Sequence, residues 1–137
     1  MLGDTAVAMN PKDHRAAVLV GKMVRLPIVG REIPIIEDDY VVLPDPESSD
    51  AKARMSSGCL KVTPAHDPND WEIGLRHELP VINVMAADAS ISDQYGWEDP
   101  SPECAPFIGL DRYEARAAIV AWFDENDLLE KLSLIHI

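Results

Sequence analysis

The chain has 137 residues, 47% of them apolar, with 12 Lys and Arg against 24 Asp and Glu and a formal charge of -12. This is enough chain for one modest domain with a real core, and too apolar for intrinsic disorder. An acidic surface of this kind repels polyanions at long range, so nucleic-acid contact must be local or supplied by other domains.

In chain order, residues 5–9, TAVAM, read as a short buried strand stopped by Asn10 and Pro11. Residues 12–20 carry weak periodicity and predict a helical turn. MVRLPIV (23–29) and EIPII (32–36) read as a hairpin closed by Gly30 and Arg31 as a two-residue turn. Pro27 and Pro34 each remove a ladder donor, which places them at edges or bulges. Residues 44–57 are polar and irregular, the composition of a surface loop.

GCLKVTPA (58–65) predicts a strand with Leu60 and Val62 on one face and Lys61 and Thr63 on the other. Residues 68–77 read as a helix with Trp71 and Leu75 packed inward. VINVM (81–85) reads as a compact buried strand, and residues 86–108, with three prolines and several acids, as a second long loop. Asp111 and Glu114 have capping-box spacing. Ala115, Ile119, Trp122 and Phe123 fall on one face of the helix that follows, which should end near Asn126. The fold class implied is mixed α/β, with hairpins rather than regular βαβ alternation.

Cys59 and Cys104 form no CxxC pair and fit a reducing compartment. MLGDTAVAMN has no basic region and no long apolar run, and no window approaches the ~18 apolar residues of a membrane span. The expectation is a soluble cytoplasmic protein without a signal peptide.

The chemistry concentrates in KVTPAHDPND (61–70). Helix-start chemistry explains part of it. Asp67 precedes Pro68, a favoured first helical residue, and so is an N-cap candidate. Asp70, three residues on, can reach back as in a capping box. Yet Lys61 and Thr63 share a strand face that runs straight into this acidic helix start. An ammonium, a hydroxyl and two carboxylates would then converge on a small volume suited to an amino-bearing ligand, held by position and charge. His66 and His77 lack zinc-site spacing, so no metal is expected, and His66 is better explained as a hydrogen-bonded structural residue than as a base. Neither Cys59 nor Cys104 is marked as an activated nucleophile.

MLGDTAVAMNP, LVGKMVRLPIVGREIPII, GCLKVTPAHDPNDWEIGLRHELPVINVM and GLDRYEARAAIV, in this order, resemble the editing domain inserted in valyl-tRNA synthetase. The resemblance covers residues 1–131, with KVTPAHDPND and the following EIG-x-RH as its most diagnostic part; residues 132–137 are left as a tail of uncertain origin. It implies a β-barrel-like core of short, largely antiparallel strands flanked by a few helices. It also implies hydrolysis of threonine wrongly attached to valine tRNA. A hydrophobic pocket cannot strongly reject an isostere carrying a hydroxyl, a limit for which valine against threonine is the standard example, so a second site removes the error.

By the same resemblance Asp70 holds the substrate α-ammonium and is the catalytic candidate. Asp67 and Thr63 line the threonine side-chain pocket, and Lys61 lies near the ester and terminal adenosine. No general base is assigned. The implied partners are the 3' end of aminoacylated tRNA(Val), its threonine moiety and the rest of the synthetase chain. No cofactor is implied for this chain; ATP and Mg belong to a synthetic domain whose HxGH-type and KMSKS-type signatures are absent here. Ser56, Ser57, Gly58 and Cys59 stand where the family usually reads Gly-Thr-Gly-small, and a threonine-rich segment that precedes MLGD in the family is not present. The expectation is a fragment cut at both ends. Two further hypotheses stand beside editing: a non-catalytic truncated piece, and a small amine-binding module using the same acidic pocket.

Overall fold

The computed structural model describes residues 1–98, 100–130 and 132. Two compact units divide the chain, residues 1–82 and residues 83–137.

The first unit is built on a four-stranded mixed sheet. Its elements are β1 (Ala6–Met9), α1 (Ala16–Leu19), β2 (Met23–Arg25), β3 (Glu32–Glu37), α2 (Ala51–Met55), β4 (Cys59–Val62) and α3 (Pro68–Arg76). The strand order is β2-β3-β1-β4. β1 pairs parallel with β3, Val7 opposite Ile35, and antiparallel with β4, Ala6 opposite Val62. β2 and β3 are antiparallel, Val24 opposite Ile33. The architecture is mixed α/β, and the described strands form an open sheet.

Strand alternation explains why both faces are covered. Ala6, Ala8 and Val62 pack with Val41 and Ile73 on one side, while Met9 and Ile35 pack with Ala16 on the other. Ile73 comes from α3, so this helix is the lid of the first face.

Several details differ from the sequence expectations. β2 and β3 are joined by a longer turn than Gly30-Arg31 alone. Leu26 N–H donates to the Arg31 carbonyl at 2.8 Å, and Ile28 and Gly30 take φ of 65° and 71° inside that closing pair. Pro34 lies in β3, which is flanked on both sides, rather than at an edge or bulge. The sheet tolerates it because Ile35, not Pro34, donates to the Lys22 carbonyl. Within residues 44–57, α2 is a short helix capped by Asp50, which accepts from Lys52 N–H at 2.9 Å. The largest reversal is on α3. Trp71 and Leu75 are exposed, and Asp70, Ile73 and Gly74 face inward.

The second unit contains a 3-10 helix (Pro102–Phe107) and α4 (Arg112–Glu125). VINVM is not a strand: only Met85 makes an isolated bridge, to Ile91, across a turn in which Ala89 takes φ of 65°. Val84, Ile91, Trp97, Cys104, Phe107 and Ala115 are buried. The capping box of α4 is present on both sides: Asp111 accepts from Tyr113 N–H at 2.8 Å, and Glu114 accepts from Asp111 N–H at 3.3 Å. The helix ends at Glu125 with Asn126 as its C-cap, as its pattern predicts. The tail SLIHI lies outside the described residues.

Candidate functional site

β4 and α3 are joined by the turn Thr63–Pro64–Ala65–His66, closed by His66 N–H donating to the Thr63 carbonyl at 3.1 Å. Asp67 then caps α3. Its Oδ1 accepts from Asn69 N–H at 2.8 Å and from Asp70 N–H at 3.1 Å, and Pro68 takes the first helical position. This places Asp70 in the first turn, where the partial positive charge of the helix end favours a carboxylate.

Asp70 does not reach back to Asp67 as a capping box would. It turns toward the strand instead. Its Oδ2 accepts from Thr63 N–H at 2.8 Å and lies 3.3 Å from Lys61 Nζ. Lys61 Nζ also donates to Thr63 Oγ1 at 3.0 Å, and Thr63 Oγ1 donates to Asp4 Oδ1 at 2.5 Å. The result is a chain of four polar side chains, Asp70–Lys61–Thr63–Asp4, at the junction of β1, β4 and α3. Asp4, Thr63 and Asp70 are buried, at 2%, 4% and 4% exposure, while the Lys61 side chain is 55% exposed. Three buried groups thus meet one solvent-exposed ammonium.

The structure therefore brings Lys61, Thr63 and Asp70 into hydrogen-bond contact. Asp67 holds the helix start, and its carboxylate meets only backbone N–H groups there, that of Asp70 among them. Asp4 was assigned no role from sequence. The signal available was an acid directly before a buried strand, in MLGD. Its significance depends on a contact to a residue 59 positions away, which spacing does not reveal. Arg31 fixes the Asp4 backbone from the hairpin turn, donating to the Leu2 and Asp4 carbonyls at 3.1 and 2.9 Å. The amino-terminal ammonium also lies 3.1 Å from Asp4 Oδ1. The pKa of His66 is pushed down, first by burial of its ring and then by the positive charges of the amino terminus and Lys61, which favours neutral imidazole beside the cluster. Among the described residues, no group of three His, Cys, Asp or Glu could hold a metal ion.

A second ionic cluster anchors the far end of α3. Asp38 accepts from Arg76 NH2 at 2.9 Å, from Tyr40 N–H at 2.9 Å, and lies 3.0 Å from His77 Nε2. Burial raises the Asp38 pKa, but the Tyr40 N–H, Arg76 and His77 together outweigh it and hold the carboxyl below its ordinary range. Between the two ends, a Cβ on Gly74 would stand 2.9 Å from the Pro64 ring, so glycine is what lets α3 lie directly on the turn that carries Thr63. The EIG-x-RH pattern thus encodes the seating of the helix that presents Asp70.

No family model matches the chain. It is 50% identical over 132 residues to a valine–tRNA ligase of Parasynechococcus marenigrum, covering 96% of this chain and 12% of that protein. A valine–tRNA ligase of Halalkalibacterium halodurans is 47% identical over the same length, with 13% of it covered. Identity of this order across almost the whole chain places it among the aminoacyl-tRNA ligases. Within that class it belongs to the valine–tRNA ligase family, and it spans about an eighth of the length of the relatives it matches.

Proposed function

We propose that this segment is the editing site of a valine–tRNA ligase and hydrolyses the ester of threonine wrongly attached to valine tRNA. The observation that carries this reading is Asp70. It is a buried carboxylate held by a helix start and the Thr63 N–H, and it takes an ammonium group at 3.3 Å. In the unliganded arrangement that ammonium is Lys61; in the complex the substrate α-ammonium takes its place. A fixed anion that binds the amino group positions the adjacent ester carbonyl without reorganisation during the reaction.

Water adds its oxygen to that carbonyl carbon. The carbon–oxygen bond to the terminal ribose breaks, releasing threonine and a tRNA with a free hydroxyl. Lys61, displaced from Asp70, stays tethered to the end of β4. From there its ammonium reaches the ester or adenosine end and stabilises negative charge developing on the carbonyl oxygen. Thr63 faces the threonine side chain. Asp67 contributes its Oδ2 there while its Oδ1 holds the helix. The partners in this reading are the 3' end of aminoacylated tRNA(Val) and the rest of the ligase chain, and the compartment is the cytoplasm. No cofactor acts in the hydrolysis; ATP and Mg serve only the ligase's synthetic site.

Deacylation of threonyl-tRNA(Val) by the ligase that contains this segment provides the test. Asp70→Ala should lower the rate about 100-fold or more, with the thermal melt as a folding control. An unchanged rate refutes the role of Asp70. Hydrolysis by residues 1–137 alone separates an editing unit from a non-catalytic piece. Since Asp70 pairs with the Lys61 ammonium at 3.3 Å, calorimetry with threonine, valine and unrelated amines separates editing from a general amine-binding module. Equal binding of all of them would favour the module.

A further inference from the structure

We propose that Asp4 sets the hydrogen-bond polarity of Thr63, so that the site accepts a hydrogen bond from its ligand and selects ligands that carry a donor at that point. This deepens the editing reading and rests on it for the identity of the ligand. A threonine hydroxyl has one hydrogen and two lone pairs, and its direction is normally free. Here both neighbours are one-sided. Lys61 Nζ, 3.0 Å away, can only donate, and the Asp4 carboxylate, 2.5 Å away on the other side, can only accept. The hydroxyl hydrogen therefore points to Asp4, and the lone pairs point toward Lys61.

Asp4 and Thr63 are both buried, so water does not compete for this arrangement. Arg31 holds the Asp4 backbone in place through two carbonyls. Lys61 is the one exposed member and the one that a ligand can displace. Whatever replaces it against Thr63 must donate: a hydroxyl or an ammonium qualifies, and a methyl group does not. A buried acceptor facing a methyl is left unpaired, and that penalty falls on valine rather than threonine. Asp4 is in this sense a positioning residue that determines specificity through Thr63.

The experiment measures binding of non-hydrolysable threonyl- and valyl-amide analogues of the terminal adenosine to the ligase containing this segment. Asp4→Ala should reduce the threonyl-over-valyl preference about tenfold, because the Thr63 hydroxyl is then no longer held in advance as an acceptor and must be ordered when the ligand's hydroxyl binds. Thr63→Val should reduce it by the same factor, and the double variant should fall no further. A merely structural Asp4 would weaken both analogues equally and leave the ratio intact, which overturns the proposal.

If Asp4→Ala does not fold, the unmutated chain decides by NMR. Expected is a slowly exchanging Thr63 hydroxyl proton with a nuclear Overhauser contact to the Asp4 methylene, retained after the α-amine is acetylated. A hydroxyl that exchanges as fast as exposed threonines, or is lost on acetylation, overturns the assignment. Should the unmutated ligase not deacylate threonyl-tRNA(Val), the editing reading fails while the hydroxyl result still stands or falls alone.

Discussion

The two compact units are made by different means. Residues 1–82 carry nine Lys and Arg against thirteen Asp and Glu, whereas residues 83–137 carry three against eleven. The first unit hydrogen-bonds strands from distant parts of the chain and inserts polar side chains into its interior: Asp4, Asp13, Asp38, Thr63 and Asp70 are all buried there. The second relies on local devices, a turn at Ala89, a 3-10 helix and a capped α4, in which only Ala115 is fully buried. Buried carboxylates lower stability unless each is paired, so a fold retains them where they hold something in position. In this chain the pairing concentrates on α3, at Asp70 near one end and Arg76 and His77 at the other. The less acidic unit carries the candidate site, so a polyanionic partner meets weaker repulsion there.

The sharpest way to break this contrast is to unseat α3. Gly74→Ala puts a methyl group about 2.9 Å from the Pro64 ring, which must move or push the helix away. Since Pro64 follows Thr63, the shift passes directly to the Thr63 N–H bond with Asp70. A loss of about 2 kcal/mol is expected from overpacking, measured by urea denaturation. Amide exchange should increase in residues 1–82 and stay unchanged in residues 83–137. The same substitution on an exposed helix face would stabilise, because alanine is the better helix former; a rise in stability would therefore show that Gly74 is not in contact.

What could be read from the sequence followed the same division. Signals that depend on neighbours a few residues apart were legible: the caps at Asp67 and Asp111, the strand before Thr63, the end of α4. The convergence of Lys61, Thr63 and Asp70 was also legible, since strand alternation and a helix start fix it locally. The orientation of α3 was not. Size and apolarity favour Trp71 and Leu75 as the inward face, but tertiary packing favours the small Gly74 against Pro64 and the charged Asp70 against Thr63. Asp4 and Asp38 were missed for a related reason: their partners lie 59 and 38 positions away. A similar contact decides Gly58, whose Cβ would collide with the Arg15 guanidinium, leaving room for the Arg15–Asp13 pair only when no side chain is there.

A smaller effect is expected from the second unit's own device. Asp111→Ala removes the side chain that accepts from Tyr113 N–H and leaves Glu114 without its reciprocal partner. Loss of an N-cap of this kind costs about 1 kcal/mol. Exchange protection should fall at the start of α4 and be kept in residues 1–82. If protection falls equally in both units, the two do not unfold separately and the contrast drawn between them is wrong.

The smallest effect belongs to acid. Asp13 is held at a pKa of about 2, first by hydrogen bonds from the Arg15 side chain and then from its backbone N–H. Asp38 is also held below its ordinary range. A carboxyl whose folded pKa is depressed stabilises the protein above its unfolded pKa, and that contribution disappears as pH falls through the folded value. For Asp13 the window therefore runs from about 4 down to about 2. Asp88, in the second unit, is lowered as well, but by Ser90 within its own turn, so protonating it releases only that turn. Asp13 and Asp38 join distant segments instead, Arg15 reaching the Ser57 carbonyl and Arg76 coming from α3. Thermal melts between pH 5 and pH 2 should thus fall more steeply for unmutated protein than for Asp13→Asn or Asp38→Asn. Each variant should start less stable at pH 5 and lose less on acidification. A parallel fall in all three would show that these carboxylates are not what acid attacks, and that the polar interior of the first unit is held by its sheet alone.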